Sequence, residues 1–321
     1  MCNALTRIEE IARGVLSGDR RSIARAITTI ENNTAEASRL IASVYPHIGK
    51  AHIVGLTGPG GSGKSTLIEK MVREYRRRGK TVGVVAVDPT SPFTGGAFLG
   101  DRIRMQELST DPGVFIRSMA TRHYPGGIAK ATKDAVNVLD AAGKDIIIVE
   151  TVGAGQSEVE IIKVAQTIVV IHAPGLGDEI QAIKAGLMEI ADVFVVNKAD
   201  RENADKSVMD LQAMLKLNDE EKAWKTPILK TAALTGEGVP QLIEKLEEHR
   251  RFLEGGKERK RSLLKAEAEL IEAIKEKVAS SIIDDLKKEG KFEEFLQKIL
   301  VKEMDPASIA EKLLQQKLGR H

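Results

Sequence analysis

The pattern of hydrophobic positions changes twice along the chain. In the first 48 residues, apolar side chains such as Leu5, Ile8, Ile11 and Val15 recur at the spacing of an amphipathic helix. From His52 onward the pattern becomes short apolar runs that alternate with helical stretches, and after residue 255 the helical spacing returns. We therefore expect three regions: an N-terminal helical extension (1–48), a central domain (49–255) and a C-terminal helical region (256–321).

Seven apolar runs in the central domain predict β-strands. They are rich in β-branched residues and nearly continuous, as expected for strands that are covered on both faces. Because helical stretches separate most of them, we expect an α/β fold with a doubly wound, mostly parallel sheet. The predicted strands are residues 52–57, 82–88, 113–117, 145–150, 167–172, 192–197 and 227–231.

Local signals predict where several helices begin and end. Ser22 is expected to cap the second helix of the N-terminal extension. A helix is expected over residues 239–253, and the glycines and charges of residues 255–261 predict a hinge after it. Near the end of the chain, Asp305 is expected to cap a final helix that has Pro306 in its first turn.

The composition limits the class of protein. Of the 321 residues, 42% are hydrophobic and 29% are charged, and the formal net charge is only +2. A nucleic-acid-binding protein usually carries a clustered basic excess, so we expect no nucleic-acid partner. The single cysteine, Cys2, excludes a disulfide framework within one chain. The sequence contains neither a long apolar run nor a signal-peptide pattern in residues 1–13, so we expect a cytoplasmic protein without a membrane partner.

A glycine-rich segment predicts a phosphate-binding loop of the P-loop NTPase type. Residues 58–65 read G-P-G-G-S-G-K-S, which fits the pattern G-x-x-x-x-G-K-[ST], and they stand between a predicted strand and a predicted helix. Glycines let successive N–H groups turn toward a phosphate, and the helix N-terminus adds the positive end of its dipole. We expect Lys64 to reach the β- and γ-phosphates and the Ser65 hydroxyl to bind Mg²⁺. The predicted nucleotide-binding residues of this loop are Gly58, Gly60, Gly61, Ser62, Gly63, Lys64, Ser65 and Thr66.

Acidic residues at the ends of predicted strands are candidate metal ligands. Asp88 and Glu150 each end an apolar run, and ligands of doubly wound sheets bind at the carboxyl ends of the strands. A carboxylate there can hold Mg²⁺ directly or through water. Each could instead cap a helix or lie on the surface, and for these two we favour the metal role. For Asp101, in a loop after two glycines, the residues alone leave both roles open.

Residues 150–153, E-T-V-G, have the form of the [DE]-x-x-G switch of GTPases. The N–H of Gly153 can bond the γ-phosphate of GTP. Because hydrolysis removes the γ-phosphate, hydrolysis would release the loop. Glu150 is therefore a candidate for catalysis as well as for metal binding. Gln156 follows three residues later; it either positions the attacking water or is a polar residue of the loop that binds a partner or the backbone.

A second motif predicts guanine recognition. Residues 197–200 read N-K-A-D and end a predicted strand. Asp200 can accept hydrogen bonds from N1–H and the 2-amino group of guanine, whereas adenine would leave this carboxylate unpaired. We expect Asn197 to support the loop and the base edge. The stem of Lys198 is expected to cover the face of the base.

A shorter segment follows the last predicted strand, where residues 232–234 read A-A-L. GTPases carry S-A-[KL] at this place, and a backbone N–H of the segment meets guanine O6. We expect Ala232, Ala233 and Leu234 to bind the base through the backbone. The serine hydroxyl that braces this loop is missing, because Ala232 stands in its place.

Together these motifs resemble those of one family. Beside the segments already quoted, the chain contains A-V-D-P-T-S, G-G-A-F-L-G-D-R, E-T-V-G-A-G-Q-S-E, P-G-L-G-D-E-I-Q and L-T-G-E-G. This spaced set resembles the methylmalonyl-CoA-mutase-associated GTPases, which belong to the SIMIBI class of P-loop proteins and were formerly called lysine/arginine/ornithine transport kinases. The similarity covers most of residues 50–250, and the helical extensions at both ends also fit.

The resemblance implies a function and an assembly. Such proteins bind GTP and GDP with Mg²⁺ and are chaperones of adenosylcobalamin-dependent mutases, whose cofactor loading they gate and which they protect from inactivation. They are homodimers, and the helices of residues 256–321 would contribute to the dimer contact. Asp88, Asp101 and Glu150 fall on the Mg²⁺-site acids of the family, and residues 175–181 fall on a mobile switch that couples the nucleotide state to the mutase.

Two other functions are alternatives to this one. A metal-insertion GTPase of the hydrogenase or urease maturation type would usually carry a His- or Cys-rich segment, whereas the six histidines of this chain are scattered. A kinase linked to amino-acid transport would need an acceptor site and a base near the γ-phosphate, and the sequence offers no feature for either. His172 departs from the apolar residue common at its place in the family, and we expect it to be packed and hydrogen-bonded.

Overall fold

The computed structural model describes residues 2–32, 35–89, 105–121, 127–151, 161–175, 185–217 and 223–318. Three predicted site residues, Asp101, Gly153 and Gln156, lie outside the described residues, as does the predicted switch from residue 176 onward. The chain divides into two compact units, Met1–Gly255 and Gly256–His321. None of the described helices is long and apolar enough to cross a membrane.

The first unit contains a seven-stranded sheet in which every described strand pair is parallel. The strand order is β3-β2-β4-β1-β5-β6-β7, so the chain winds outward from β1 in both directions. The expectation of a doubly wound α/β sheet is therefore confirmed. The strands are β1 (His52–Thr57), β2 (Val82–Pro89), β3 (Val114–Thr121), β4 (Ile146–Thr151), β5 (Thr167–His172), β6 (Val193–Asn197) and β7 (Ile228–Thr231).

Helices cover both faces of this sheet and also form the second unit. In the first unit they are α1 (Cys2–Leu16), α2 (Arg20–Glu31), α3 (Ala35–Val44), α4 (Lys64–Arg77), α5 (Gln106–Ser109), α6 (Gly127–Ala141), α7 (Ala185–Ile190), α8 (Ala204–Leu217) and α9 (Val239–Phe252). Short 3₁₀ turns occupy Tyr45–His47 and Ile161–Lys163. The second unit contains α10 (Glu258–Lys288), α11 (Lys291–Leu300) and α12 (Pro306–Leu318).

The core of the first unit has a separate cluster for each group of helices. On one face, the N-terminal helices and α6 share a cluster with β2, β3 and β4 that includes Ile27, Leu40, Leu139 and Val149. On the other face, α4 and α9 pack on the sheet around Leu67. Near β5 and β6, a third cluster packs under α7 and α8. The N-terminal extension thus shares its core with the sheet.

Three local expectations needed correction. Helix α2 is capped by Asp19, whose carboxylate accepts the N–H of Ser22 at 2.8 Å, so Ser22 lies inside the first turn and is not the cap. Strand β3 runs on to Thr121, beyond its predicted end at Arg117, because Arg117 pairs with Glu31 of α2 and the strand continues beside β2. Leu253–Lys257 form a π-helical turn and α10 follows directly, so the predicted hinge is helical.

The start of the last helix agrees with the sequence. Asp305 Oδ1 accepts the backbone N–H of Ala307 at 2.9 Å and that of Ser308 at 3.0 Å. Pro306 is the first residue of α12, where its missing N–H has no cost because that N–H would have no partner in the helix. The short pattern Asp-Pro was sufficient because a cap depends only on neighbours in the sequence.

A chain of buried polar side chains closes the amino edge of the sheet. His52 Nε2 lies 2.8 Å from Thr167 Oγ1, which lies 2.8 Å from His249 Nδ1, and His249 Nε2 lies 3.4 Å from Asp192 Oδ1. Each ring nitrogen donates or accepts according to the tautomer, so the Thr167 hydroxyl can donate to one of the two histidines and accept from the other. Trp224 packs on the His249 ring with a centroid distance of 4.7 Å, and its Nε1 donates to the Asp192 carbonyl.

Burial sets the charge state of the first histidine in this chain. The side chain of His52 is 1% exposed, and burial, aided by the charges of Arg250 and His249, lowers its pKa from 6.5 to about 3. His52 is therefore neutral at pH 7, so one of its ring nitrogens carries a hydrogen and the other can accept. An uncharged, buried histidine thus lies at one end of this set of contacts at the amino edge.

Candidate nucleotide-binding site

The predicted phosphate loop lies at the opposite, carboxyl edge of the sheet, between β1 and α4. Gly58 has φ 147°, and a Cβ there would strike the backbone carbonyl of Ile171 in β5. Gly63 has φ 90°, and a Cβ there would strike the side-chain amide of Asn197. Both positions require glycine because of backbone conformation and close approach together. The loop is therefore fitted closely against the ends of β5 and β6.

Lys64 is held against the inside of its own loop. It is the first residue of α4 and only 8% exposed, and its Nζ donates to the carbonyls of Gly58 at 2.8 Å and Pro59 at 3.1 Å. A trans peptide directs the N–H opposite to its carbonyl, so these contacts aim the N–H of Gly60 the other way. The loop therefore holds a buried positive charge at the start of α4, which is one part of an anion site.

The N-terminus of α4 adds to this anion site. Gly63 stands at the N-cap position and has no side chain that could cap the first N–H groups of α4. The positive end of the helix dipole points in the same direction. A phosphate chain is the ligand that this combination favours.

Two of the predicted metal ligands are in direct contact. Ser65 lies in the first turn of α4, Glu150 lies near the end of β4, and Ser65 Oγ donates to Glu150 Oε1 at 2.9 Å. The Glu150 side chain is 6% exposed, so its carboxylate is withdrawn from bulk water. A hydroxyl oxygen beside a buried carboxylate oxygen is a donor set that suits Mg²⁺.

The two other predicted metal ligands are described only in part or not at all. The backbone of Asp88 lies in β2, whose Ala86 pairs with Glu150 of β4, so Asp88 is two residues further along the neighbouring strand. The side chain of Asp88 lies outside the described residues, as does all of Asp101. The metal role of these two acids stays a prediction.

Asn197 joins the predicted base site to the phosphate loop. It is the last residue of β6 and 1% exposed, and its Nδ2 donates to the carbonyl of Ser62 at 2.8 Å. Its Oδ1 accepts from Thr231 Oγ1 at 3.0 Å and from the N–H of Ala233 at 3.1 Å. One buried amide thus links three loops at the carboxyl edge, and its second Nδ2 hydrogen is available to a base edge.

The next residues of the N-K-A-D motif form a turn over the phosphate loop. Lys198 adopts φ 58°, and its Nζ donates to the carbonyl of Gly61 at 2.6 Å. The N–H of Ala199 donates to the carbonyl of Thr231 at 3.0 Å, which ties the turn to the end of β7. Asp200 is exposed after this turn, where a ligand can reach its carboxylate.

The A-A-L segment is anchored from within the protein. The N–H of Ala232 donates to the carbonyl of Glu237, and the N–H of Ala233 donates to Asn197, so both backbone donors have partners in this arrangement. Both alanines are buried, whereas Leu234 is 79% exposed. The expected backbone contact of Ala232, Ala233 and Leu234 with guanine stays a prediction.

Sequence reasoning missed one residue of this site, Thr231. The pairing of β6 with β7 sets Asn197 opposite Thr231, and that register depends on which strands are neighbours. His172, at the end of β5, is 2% exposed and packed, as expected for a histidine that ends a strand. Among the described residues of the site, side-chain contacts join Ser65 to Glu150 and Asn197 to Thr231. The side chains of Lys64, Asn197 and Lys198 bond backbone carbonyls of the phosphate loop.

Comparison with known proteins identifies the family. A family model described as "Methylmalonyl Co-A mutase-associated GTPase MeaB" matches residues 23–287. This chain belongs to the MeaB family. The resemblance inferred from the spaced motifs is thereby confirmed, and so is the expectation that the chain is a GTPase, which binds GTP and GDP.

Two relatives and one solved structure indicate how far the likeness extends. The chain is 53% identical over 321 residues to "Putative GTPase PH0274" of Pyrococcus horikoshii, with 98% of this chain and 99% of the relative covered. It is 34% identical to "Methylmalonic aciduria type A homolog, mitochondrial" of Caenorhabditis elegans, with 75% of this chain and 65% of the relative covered. A structure described as "Crystal structure of LAO/AO transport system kinase" superposes with a TM-score of 0.72 at 24% identity over 98% of each chain, which supports the fold of this MeaB-family protein.

Proposed function

We propose that this MeaB-family GTPase uses Mg²⁺ to hydrolyse GTP and is a chaperone of an adenosylcobalamin-dependent mutase of the methylmalonyl-CoA mutase type. The observation that carries the client is the match to a mutase-associated GTPase family over residues 23–287. The name of the C. elegans relative points to the same area of metabolism. Hydrolysis then times the loading of the mutase cofactor and the protection of the mutase.

The contact between Ser65 and Glu150 supports the Mg²⁺ site of this proposal. The Ser65 and Glu150 oxygen atoms lie 2.9 Å apart. Ser65 directly follows Lys64, which in this proposal binds the β- and γ-phosphates. In the proposal Asp88 and Asp101 complete the ligand set. A bound Mg²⁺ would neutralise charge that develops on the phosphates.

The remaining catalytic roles follow from the motifs. Lys64 stabilises the transferred phosphoryl group, Gly153 bonds it through its N–H, and Gln156 orients the attacking water. Guanine is read by Asp200, with Asn197 and Lys198 in support. The amide of Asn197 supports this assignment, because it ties the base motif to Ser62 of the phosphate loop.

We further propose that the second unit makes the dimer contact. Helix α10 carries four exposed apolar residues on one stripe: Leu263, Leu270, Ile274 and Val278 are 70%, 62%, 53% and 44% exposed. Within the same unit, the three helices enclose an apolar groove of about 540 Å³ that is lined by side chains such as Phe292 and Leu313. A second copy of the chain would cover such a surface. The cytoplasmic location stays a prediction.

One binding experiment tests the client. The purified chain is mixed with a purified adenosylcobalamin-dependent methylmalonyl-CoA mutase, with GDP or a non-hydrolysable GTP analogue, and the affinity of the complex is measured. We expect an affinity that differs between the two nucleotides. In Lys64→Ala the difference should disappear, whereas Lys70→Ala, a change at a partly exposed lysine of the same helix that pairs with Glu69, should retain it. A wild-type chain that binds the mutase equally with both nucleotides, or not at all, contradicts the proposal.

A further inference from the structure

The hydroxyl of Thr231 makes an unusual contact for a residue outside the recognised motifs. Thr231 ends β7 and is 1% exposed, and its Oγ1 donates to Asn197 Oδ1 at 3.0 Å. The β6–β7 register sets Asn197 and Thr231 side by side on adjacent strands. A buried hydroxyl thus contacts a buried side chain that joins the base motif to the phosphate loop.

The surrounding groups fix which way the Asn197 amide points. The N–H of Ala233 can only donate, so the atom it meets at 3.1 Å must be the amide oxygen. The carbonyl of Ser62 can only accept, so the atom that faces it at 2.8 Å must be Nδ2. Thr231 supplies the second donor to the oxygen and thereby holds the amide against rotation.

We propose that Thr231 is a positioning residue for guanine specificity, which acts through Asn197 and does not touch the nucleotide. The inference rests on the proposed base site and deepens it. Without the hydroxyl, the amide oxygen keeps one of its two donors and the amide is less well oriented. Loss of one such neutral hydrogen bond predicts about a fivefold to tenfold weaker affinity for guanine nucleotides.

Valine has nearly the shape of threonine and no hydroxyl, so Thr231→Val is the test. We expect the affinities for GTP and GDP to fall about fivefold to tenfold and the preference for GTP over ATP to fall by a similar factor. KM for GTP should rise while kcat stays nearly constant, because Thr231 is not part of the phosphate site. Thr231→Ser, which restores a hydroxyl, should recover most of the preference.

A matched control comes from the other edge of the sheet. Thr226 precedes β7, and its hydroxyl donates to the carbonyl of Ala191 at 3.3 Å, away from the nucleotide loops. Thr226→Val should lower the melting temperature slightly and leave the GTP to ATP preference unchanged. A purely structural role for Thr231 would move only the melting temperature in both variants.

The outcomes separate this inference from the base site on which it rests. If Asp200→Asn keeps the full preference for GTP, the base site itself is wrong. If Asp200→Asn loses the preference but Thr231→Val keeps it, only the role of Thr231 is wrong. Should Thr231→Val not fold, Thr231→Ala replaces it in the comparison. If neither folds while Thr231→Ser does, the hydroxyl serves folding and the inference is overturned.

Discussion

The two edges of the sheet use buried polar side chains in opposite ways. At the carboxyl edge, Asn197 and Lys198 bond the carbonyls of a glycine-rich loop, and the loop keeps N–H groups and charge for a ligand. At the amino edge, His52, Thr167 and His249 bond one another in a chain that ends at Asp192. The first network holds backbone in place around a binding site, and the second fastens strands and a helix together.

The difference shows that two networks of buried polar side chains in one domain can have different roles. The network at the amino edge joins side chains of strands and a helix. It contributes to the free energy of unfolding, because breaking it leaves buried groups without hydrogen bonds. A network that ends on a glycine loop contributes to pre-organisation, because the loop would otherwise have to be ordered when the ligand binds. Substitutions at the two edges should therefore affect different measurements.

The largest effect is expected at the carboxyl edge for Asp200→Asn. Asparagine replaces one acceptor of the carboxylate with a donor, which opposes the donors of guanine and suits the extra carbonyl of xanthine. GTP affinity should fall about 1,000-fold while xanthosine triphosphate binds better than in the wild type. Isothermal titration with both nucleotides measures this, and an unchanged GTP affinity would refute the base site.

Lys64→Ala should have the next largest effect on binding. Removal of the ammonium takes away charge-assisted hydrogen bonds to the phosphates, so GTP affinity should fall about 100-fold. The proposed dimer should be retained, because its contact is assigned to the second unit and Lys64 lies in the first. Fluorescent-nucleotide titration and sedimentation measure the two properties, and tight GTP binding by the variant would contradict the role of Lys64.

At the amino edge, Thr167→Val should separate stability from binding. The change leaves ring nitrogens of His52 and His249 without their shared partner, which costs about 2 kcal/mol of unfolding free energy. GTP affinity should remain within about twofold, since the change lies at the opposite edge from the phosphate loop. Urea unfolding and nucleotide titration check the pair of values. A large loss of GTP affinity with little loss of stability would show that the two edges are not independent.

Acid should weaken the amino edge through His52. Its folded-state pKa of about 3 lies below the ordinary value of 6.5, so the unfolded chain takes up the proton first. The stability from this group is therefore present above pH 6.5 and is lost as the pH falls toward 3. Between pH 7 and pH 5 the unfolding free energy should drop by about 2 kcal/mol from this group.

The pH effect has a matched control in an exposed histidine. His52→Gln should remove most of the drop in unfolding free energy between pH 7 and pH 5, whereas His47→Gln, at an exposed position, should retain it. Chemical denaturation at the two pH values gives the comparison. An unchanged pH dependence in His52→Gln would mean that another group is responsible.

Much of this molecule follows from local pattern. The bounds of β1 and β5 match the predicted residues 52–57 and 167–172. A short apolar run between turn-forming residues predicts a buried strand and also marks where it starts and ends. The phosphate loop and N-K-A-D were recognisable because their residues are neighbours in sequence. The end of β3 was missed at Arg117 because a polar residue looks like a strand end until Glu31 is found beside it.

The sequence by itself determined the α/β class, the family and the residues from which a GTP site would be built, since each depends on short spacings or apolar periodicity. Only the tertiary structure decided that Ser65 meets Glu150, that Thr231 holds Asn197 and that His52 reaches Asp192 through two other residues. Those contacts join residues far apart in the chain. They depend on strand order and register, which the packing of the whole core selects and no local preference encodes.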